Sequence, residues 1–411
     1  MDTGLRIAVV TETYPPEVNG VARTIAKMVD GALQRGDSVD LIRPRQASDK
    51  NARLGVRIEA PRGAPAEMLV RGFSIPRYPG MQFGMPAVGL MKAHWRRRRP
   101  DVVQVVTEGP LGWAAVRAAD ALGIPVVSEY HTNFQSYSGH YGLGLLSRII
   151  SSYMRRLHNR SVCTLVPTPT LAQDLRQQGY RNVQVVSRGV DMNTFAASRR
   201  SDALRRQWGI KPGGLAVAYV GRIAAEKNIA LAVRAFNEIR LACPDARLIF
   251  VGDGPLRGQV ESAVPDAIFA GMRHGDDLAA HYASADMFVF PSLTETFGNV
   301  VSESLACGLP VVAYRYAAAA ELVCSGVNGW LAEPGNEDDF LSAACRLAAA
   351  VGEGAQQPDF QHAATTAAAP LSWSNIHQSM GEILRQASGQ VPMIAPPVEA
   401  IRLPLRAPAQ T

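Results

Sequence analysis

Glu295 and Glu303 enclose seven residues, Thr-Phe-Gly-Asn-Val-Val-Ser, directly after an apolar run from Met287 to Pro291. That order predicts a strand, a loop and a helix beginning near Gly298. A loop carboxylate at a strand's carboxyl end can accept hydrogen bonds from sugar hydroxyls. The N–H groups of the helix's first turn favour a negative phosphate beside it. Glu303, about a turn and a half into the helix, can reach a second pair of hydroxyls such as those of a ribose. The same spacing also suits an exposed loop that leads into a helix carrying a glutamate.

A second cluster narrows that choice. The run Ala216 to Val220 ends in Gly221-Arg222-Ile-Ala-Ala-Glu226-Lys227-Asn228. Arginine offers a bidentate fork and lysine a mobile point charge. Together they can clamp a diphosphate and neutralise the charge that grows on it as a sugar departs. The competing reading is a solvated charge pair that includes Glu226. Neither an HExxH nor an Asp-x-Asp pattern occurs, and the two cations can replace a divalent ion. Transfer without metal or other cofactor is therefore expected. Gly252-x-Gly254-x-x-x-Gly258 has its third glycine one position late for a dinucleotide loop and lies mid-domain, which argues against NAD.

At these residues the chain resembles the retaining GT-B glycosyltransferase family 4, also called glycosyltransferase group 1. Gly221-Arg222…Lys227 and Glu295-x7-Glu303 match its donor-site signature. Gly252-Asp253-Gly254-Pro255, Ala285-Asp286, Phe290-Pro291-Ser292, Gly308-Leu309-Pro310-Val311 and Gly326-x-Asn328-Gly329 follow in the family's order. The resemblance runs from about residue 6 to 385. It implies two Rossmann-like doubly wound domains facing across a cleft, and a nucleotide diphosphate sugar as donor substrate. It also implies that Gly221, Arg222 and Lys227 bind the diphosphate, Glu295 the sugar and Glu303 the ribose. The backbone of Phe297, Gly298, Asn299 and Val300 would line sugar and phosphates.

In the first half, Pro15-Pro16-Glu-Val-Asn19-Gly20 occupies the place of the family's glycine-rich loop, with Asn19 where the first glycine usually stands. Asparagine tolerates a left-handed backbone better than most residues. His131, in Glu129-Tyr130-His131-Thr132-Asn133-Phe134, matches the family's active-site histidine, although a lone histidine is more often structural. By resemblance it hydrogen-bonds near the donor sugar, and His131, Arg222, Lys227 and Glu295 form the catalytic set. Ala317 to Ala320 departs from the Gly-Gly pair that many relatives carry before the glutamate, here Glu321. The Tyr14-to-Val21 and Tyr130-to-Gly142 segments look most like bacterial GDP-mannose-dependent α-mannosyltransferases. UDP-sugar-dependent glycosyl- and sulfoquinovosyl-transferases acting on diacylglycerol share similar segments. A sugar-nucleotide 2-epimerase or a non-catalytic nucleotide-sugar binder are the other classes.

The elements that must position these groups follow from hydrophobic rhythm. Ile7 to Val10, Ser38 to Ile42, Val102 to Val106, Val126 to Glu129, Thr164 to Pro167 and Val183 to Val186 read as strands between helices, one of them Val21 to Arg35. The pattern restarts after the polar stretch from Ser198, with strands at 216–220, 247–251, 268–270, 287–291 and 310–313. Alternating strands and helices imply parallel sheets covered on both faces. We therefore expect an acceptor-binding Rossmann-like domain over 1–195 and a nucleotide-sugar-binding one over 196–371. A C-terminal helix over 372–390 and a proline-rich, disordered tail over 391–411 should follow.

With 411 residues, 47 % apolar and 19 % charged, the chain suits two folded domains. No apolar run reaches the length of about 18 residues that a spanning helix requires, and no secretory leader is read at the start. Cys163, Cys243, Cys307, Cys324 and Cys345 are scattered without a CxxC pair, which suits reduced thiols in a cytoplasmic protein. The net charge of +6 lies in short patches (Arg96 to Arg99, Arg155-Arg156, Arg199-Arg200) without interleaved aromatic residues. That argues against nucleic acid. From 139 to 160, Tyr141, Leu145, Leu146, Ile149, Ile150, Tyr153, Met154 and Leu157 form an apolar helix face flanked by arginines. It can pack on its own domain, or meet an anionic membrane peripherally and admit a lipid acceptor at the inner face. The acceptor is thus read as lipid or glycan.

Overall fold

The computed structural model describes residues 4–17, 19–49, 53–59, 61, 63–74, 82–131, 144–352 and 357–391, with the backbone alone at 144–147 and 357–358. They divide into two compact units. One runs to Gly189 and resumes at Trp373; the other spans Val190–Ser372. The expected tail from 392 on, and Thr132 to Tyr141, lie outside the described residues.

The first unit is built on one sheet in the order β10-β9-β8-β7-β1-β2-β4-β3. Its strands are β1 (Arg6–Val10), β2 (Ser38–Pro44), β3 (Arg57–Ile58), β4 (Ala66–Val70), β7 (Val102–Val105), β8 (Val126–Glu129), β9 (Cys163–Val166) and β10 (Val183–Val185). All pairings are parallel except β3 with β4. A separate hairpin joins β5 (Gly72–Ser74) to β6 (Gln82–Gly84). Side chains alternate along β1. Ile7 and Val9 pack with Ile25, Met28 and Val29 of the helix Gly20–Gln34, whereas Ala8 and Val10 pack with Met91, Trp95 and Leu111 on the other face. Strand order reverses between β1 and β7, so a crevice opens beyond their carboxyl ends, where the loops Thr11–Asn19 and Val106–Gly109 lie.

The last helix, Trp373–Ala387, belongs to this unit rather than standing as a separate segment. Ile376, Met380 and Leu384 recur every four residues, a single stripe. They are buried in the cluster that holds Ile25, Met28, Val29 and Ala32. Each such side chain contributes about 1.5–3 kcal/mol by leaving water. Arg35 donates to the His377 carbonyl at 2.8 Å.

The second unit's sheet is entirely parallel, in the order β13-β12-β11-β14-β15-β16. Its strands are β11 (Ala216–Val220), β12 (Arg247–Val251), β13 (Ile268–Gly271), β14 (Met287–Phe290), β15 (Val311–Tyr314) and β16 (Gly329–Ala332). Ala216, Ala218 and Val220 face a cluster with Tyr282, Val301 and Leu305; Val217 and Tyr219 face Phe236, Phe340 and Leu347. The reversal falls between β11 and β14. Their following loops, 221–228 and 291–298, are therefore neighbours at one end of the sheet.

Some expectations need correction. The first unit ends at Gly189, not 195, because Val190 N–H donates to the Leu371 carbonyl at 2.8 Å and Val190 bridges Ser372. Strands β4 and β16 went unread: β4 carries Glu67 amid its apolar residues, with Arg43 of β2 paired to it at 2.7 Å. The helix within 139–160 is observed as Gly144–His158. Ile150, Tyr153, Met154 and Leu157 pack on their own unit, while Ile149 stays 60 % exposed beside exposed Arg148 in the chain, and Arg155 and Arg156 are exposed further along the helix.

Candidate active site

In the second unit the site begins where β11, buried along its whole length, runs out at Gly221. A platform supports the loop that follows. Ile223 N–H donates to the Asp253 carbonyl at 2.9 Å, and Leu256 N–H to the Ile223 carbonyl at 3.0 Å. The approach is so close that a Cβ at Gly252 would lie 2.0 Å from the Gly221 oxygen, and one at Gly254 2.3 Å from the Ile223 oxygen. The Gly252-Asp-Gly254 pattern thus serves backbone contact beneath the Arg222 loop.

Arg222 is exposed and pairs with Glu226 at 3.3 Å, four residues on, a contact worth only a few tenths of a kcal/mol. Lys227 closes the short turn Ala225–Lys227, and Asn228, in the left-handed region at φ 54°, starts the helix Ile229–Ala242. The Lys227 amine forms an ion pair with Glu295, each side chain about four-fifths buried. Ser292 Oγ donates to the same carboxylate oxygen at 3.0 Å, and Thr294 Oγ1 donates to the Glu226 carbonyl at 3.0 Å. The loops after β11 and β14 are thereby stitched together.

Phe297 is buried, and its carbonyl accepts from Ala318 N–H at 2.8 Å. Gly298 adopts φ 95° and caps the helix Asn299–Ala306, so the helix begins one residue later than expected. The N–H groups of Asn299 and Val300 fall in the first turn, which a helix leaves without internal acceptors. Glu303 accepts from the Tyr282 hydroxyl at 3.0 Å. Burial, with the Glu303 charge beside it, pushes the Tyr282 phenol up, so it stays a donor; burial with Glu295 and Glu226 nearby does the same for Tyr219, which donates to the Arg222 carbonyl at 3.1 Å. Ser292 stands out in the sequence only as part of a motif, and Tyr219 and Tyr282 are passed over. The Tyr282 hydroxyl reaches Glu303 21 positions on, which linear spacing does not display.

In the first unit, Asn19 is not left-handed. Its backbone is extended (φ −147°), and its side-chain oxygen accepts from Ala22 N–H at 2.8 Å while its amide donates to Thr13 Oγ1 at 2.7 Å. It acts as the N-cap of the helix whose first residue is Gly20. Glu12, buried on the same loop, accepts from Leu111 N–H at 3.0 Å and Gly84 N–H at 3.3 Å. Burial outweighs those bonds and pushes its carboxyl up to about 7.

His131 follows β8 and is buried. Its Nε2 lies 2.8 Å from Glu129 Oε2, its Nδ1 lies 2.7 Å from the Arg188 guanidinium, and its backbone N–H donates to Glu108 Oε1 at 3.1 Å. Burial alone would raise the Glu129 carboxyl, but His131, Gln104 and Arg188 hold it below the usual range. Burial pushes Arg188 down to about 10, against the pull of Glu129 and Glu108, so it remains charged at neutral pH.

Two parallel-sheet units of this kind, each with its loops at a switch point, are the GT-B architecture. Residues 18–194 match the profile of Glycosyltransferase Family 4, and residues 214–350 that of Glycosyl transferases group 1. The chain is 35 % identical over 343 residues to a GDP-mannose-dependent alpha-mannosyltransferase of Mycobacterium tuberculosis, covering 82 % of this chain and 86 % of the relative. It therefore belongs to glycosyltransferase family 4, and it is a glycosyltransferase. An alpha-monoglucosyldiacylglycerol synthase of Acholeplasma laidlawii is 27 % identical over 330 residues, 75 % of this chain and 80 % of that one. Among solved structures, a sucrose-phosphate synthase from Thermosynechococcus elongatus superposes with a TM-score of 0.73 at 19 % identity, covering 94 % of this chain and all of that one. No described helix is long and apolar enough to cross a membrane.

Proposed function

We propose that the protein transfers a hexose, mannose from GDP-mannose, to a lipid or glycan acceptor with retention of the anomeric configuration and without metal. The observation that carries this reading is the Lys227–Glu295 pair at the β11/β14 reversal, with Arg222 on the same loop. A diphosphate beside Arg222 and Lys227 gains two positive partners, and Glu295 remains as acceptor for sugar hydroxyls. Glu303, steadied by Tyr282, takes the ribose hydroxyls. The donor assignment draws on the GDP-mannose dependence of the 35 % identical relative.

A second reading is a UDP-sugar-dependent transfer to diacylglycerol-type lipid, favoured by the likeness to the Acholeplasma synthase. Exposed Ile149 beside exposed arginines would serve peripheral contact with an anionic membrane at the cytoplasmic face under either reading. A thermal-shift screen of GDP-, UDP- and ADP-sugars separates them, since a donor at about 100 times its Kd adds about 2.7 kcal/mol. GDP-mannose should give the largest shift; a UDP-sugar giving it instead selects the second reading. Turnover should survive EDTA, and loss that magnesium restores would refute metal independence.

A further inference from the structure

Arg188 lies on the segment after β10, far in sequence from every motif discussed above, yet its guanidinium is buried and meets His131. We propose that Arg188 is a positioning residue for His131: its guanidinium and the Glu129 carboxylate grip the two ring nitrogens and fix the imidazole in one tautomer and one orientation. The inference rests on the glycosyltransferase reading only where it concerns turnover.

The chemistry follows from what each group can offer. A guanidinium has donors and no acceptor. Nδ1 of His131, 2.7 Å from Arg188 Nη2, must therefore present its lone pair. The ring proton is left on Nε2, where Glu129 Oε2 accepts it at 2.8 Å. Gln104 Nε2 donates to the other Glu129 oxygen, and Thr24 Oγ1 accepts from Arg188 Nη1 at 3.3 Å. The result is a chain of bonds, Thr24–Arg188–His131–Glu129–Gln104, drawn from four separate segments. A guanidinium and a carboxylate balance across a neutral ring, and removing either partner would leave a buried charge uncompensated.

Among the described residues, Arg188 and Glu129 meet the ring nitrogens of His131 and Glu108 its backbone N–H. His158 lies 3.8 Å from Glu108, and Glu12 is electrostatically coupled to Glu108. With Arg188 on Nδ1 and Glu129 on Nε2, the ring is held in one tautomer and one orientation, and its contribution is a fixed dipole and a fixed backbone.

The test uses the full chain with 15N-labelled histidine, the His131 signals being identified by their loss in His131→Gln. The native protein should show Nδ1 unprotonated and Nε2 protonated. In Arg188→Met the same signals should move towards those of a mixture of tautomers, and Arg188→Lys, which restores a donor and a charge, should move them back. Kinetically, Arg188→Met should lower kcat on the order of 10²-fold. In a His131→Ala background the same change should cost at most about twofold, because the effect passes through the ring. Nδ1 protonation in the native chain, or His131 signals unmoved by Arg188→Met, would overturn the proposal. So would equal losses in both backgrounds. The spectra decide it even if no donor sugar turns over.

Discussion

Lys227 and Glu295, 68 positions apart, meet as an ion pair between the loops that follow adjacent strands β11 and β14. The pair holds a cation beside a carboxylate. A lysine already fixed by its counter-ion loses less freedom when a diphosphate binds. The leaving group's charge grows along the reaction, so Lys227 and Arg222 should matter most at the transition state. Lys227→Ala and Arg222→Ala should each lower kcat more than they raise KM, by on the order of 10²-fold. Steady-state kinetics with saturating acceptor checks this. Near-normal turnover in both variants would remove the diphosphate assignment.

Glu12 makes stability depend on pH in an unusual direction for a carboxylate. Its folded value, about 7, lies above the ordinary 4.5 because burial outweighs the Leu111 and Gly84 bonds. Between those values the folded chain keeps a proton that the unfolded chain has released. The contribution is therefore fully present below about 4.5 and is lost as pH rises through about 7. The loss is about 3 kcal/mol at most. Glu12→Gln keeps an oxygen for both N–H donors and removes the charge. Urea unfolding should show the native protein weakening from pH 5 to 8 and the variant nearly level. Parallel curves for the two would place the ionisation elsewhere.

How much of this was legible in the sequence depended on distance along the chain. Strands β11 and β12 matched their expected bounds, because both are apolar runs bounded by polar or glycine residues. Arg222, Lys227, Glu295 and Glu303 stand out in the sequence because Gly221 to Lys227 and Glu295 to Glu303 are each one short contiguous stretch; that Lys227 meets Glu295 is visible only in the structure. Arg188 gave no local signal: its partner His131 is 57 positions away, and a single arginine in an extended segment resembles any surface charge. The capping role of Asn19 is hidden for a different reason. Its place at a glycine position of the family says nothing of a cap, whereas the extended φ lets the side chain cap a helix. The helix Trp373–Ala387 was visible as an element, but its home was not, since its stripe of Ile376, Met380 and Leu384 names no partner.

Ala317 carries a cost the sequence hinted at. It sits at φ 51°, in the left-handed region that favours glycine. Its neighbour Ala318 donates to the Phe297 carbonyl, so the strained turn helps hold the loop ahead of Gly298. An L-residue other than glycine or asparagine pays about 1–2 kcal/mol there. Ala317→Gly relieves that strain and adds some unfolded-state entropy, for a net gain of about 0.5–1 kcal/mol. Calorimetry should record a rise in Tm of about 1–4 °C. A lower Tm would mean that the turn is not strained in solution.

The last prediction concerns the anomeric carbon. Retention by double displacement requires a carboxylate free to attack from the sugar's far face. Glu295, the motif carboxylate assigned to the donor sugar, is already engaged by Lys227 and by Ser292 at 3.0 Å. An ion-paired, hydrogen-bonded carboxylate is a poorer nucleophile and a well-oriented acceptor for hydroxyls. We therefore expect front-side substitution: the acceptor oxygen bonds to the anomeric carbon as the bond to the diphosphate oxygen breaks, and that phosphate takes the acceptor's proton. On the proposed mechanism, Arg222 and Lys227 hold the phosphate while its charge develops. Glu295→Gln should then raise KM for the donor and lower kcat, yet leave measurable turnover with the same anomer, because the amide still accepts through one oxygen. NMR of the product reports the configuration, and mass spectrometry of the quenched enzyme reports any glycosyl adduct. An inverted product would refute retention. An adduct on Glu295 would leave retention intact and replace front-side substitution with two displacements.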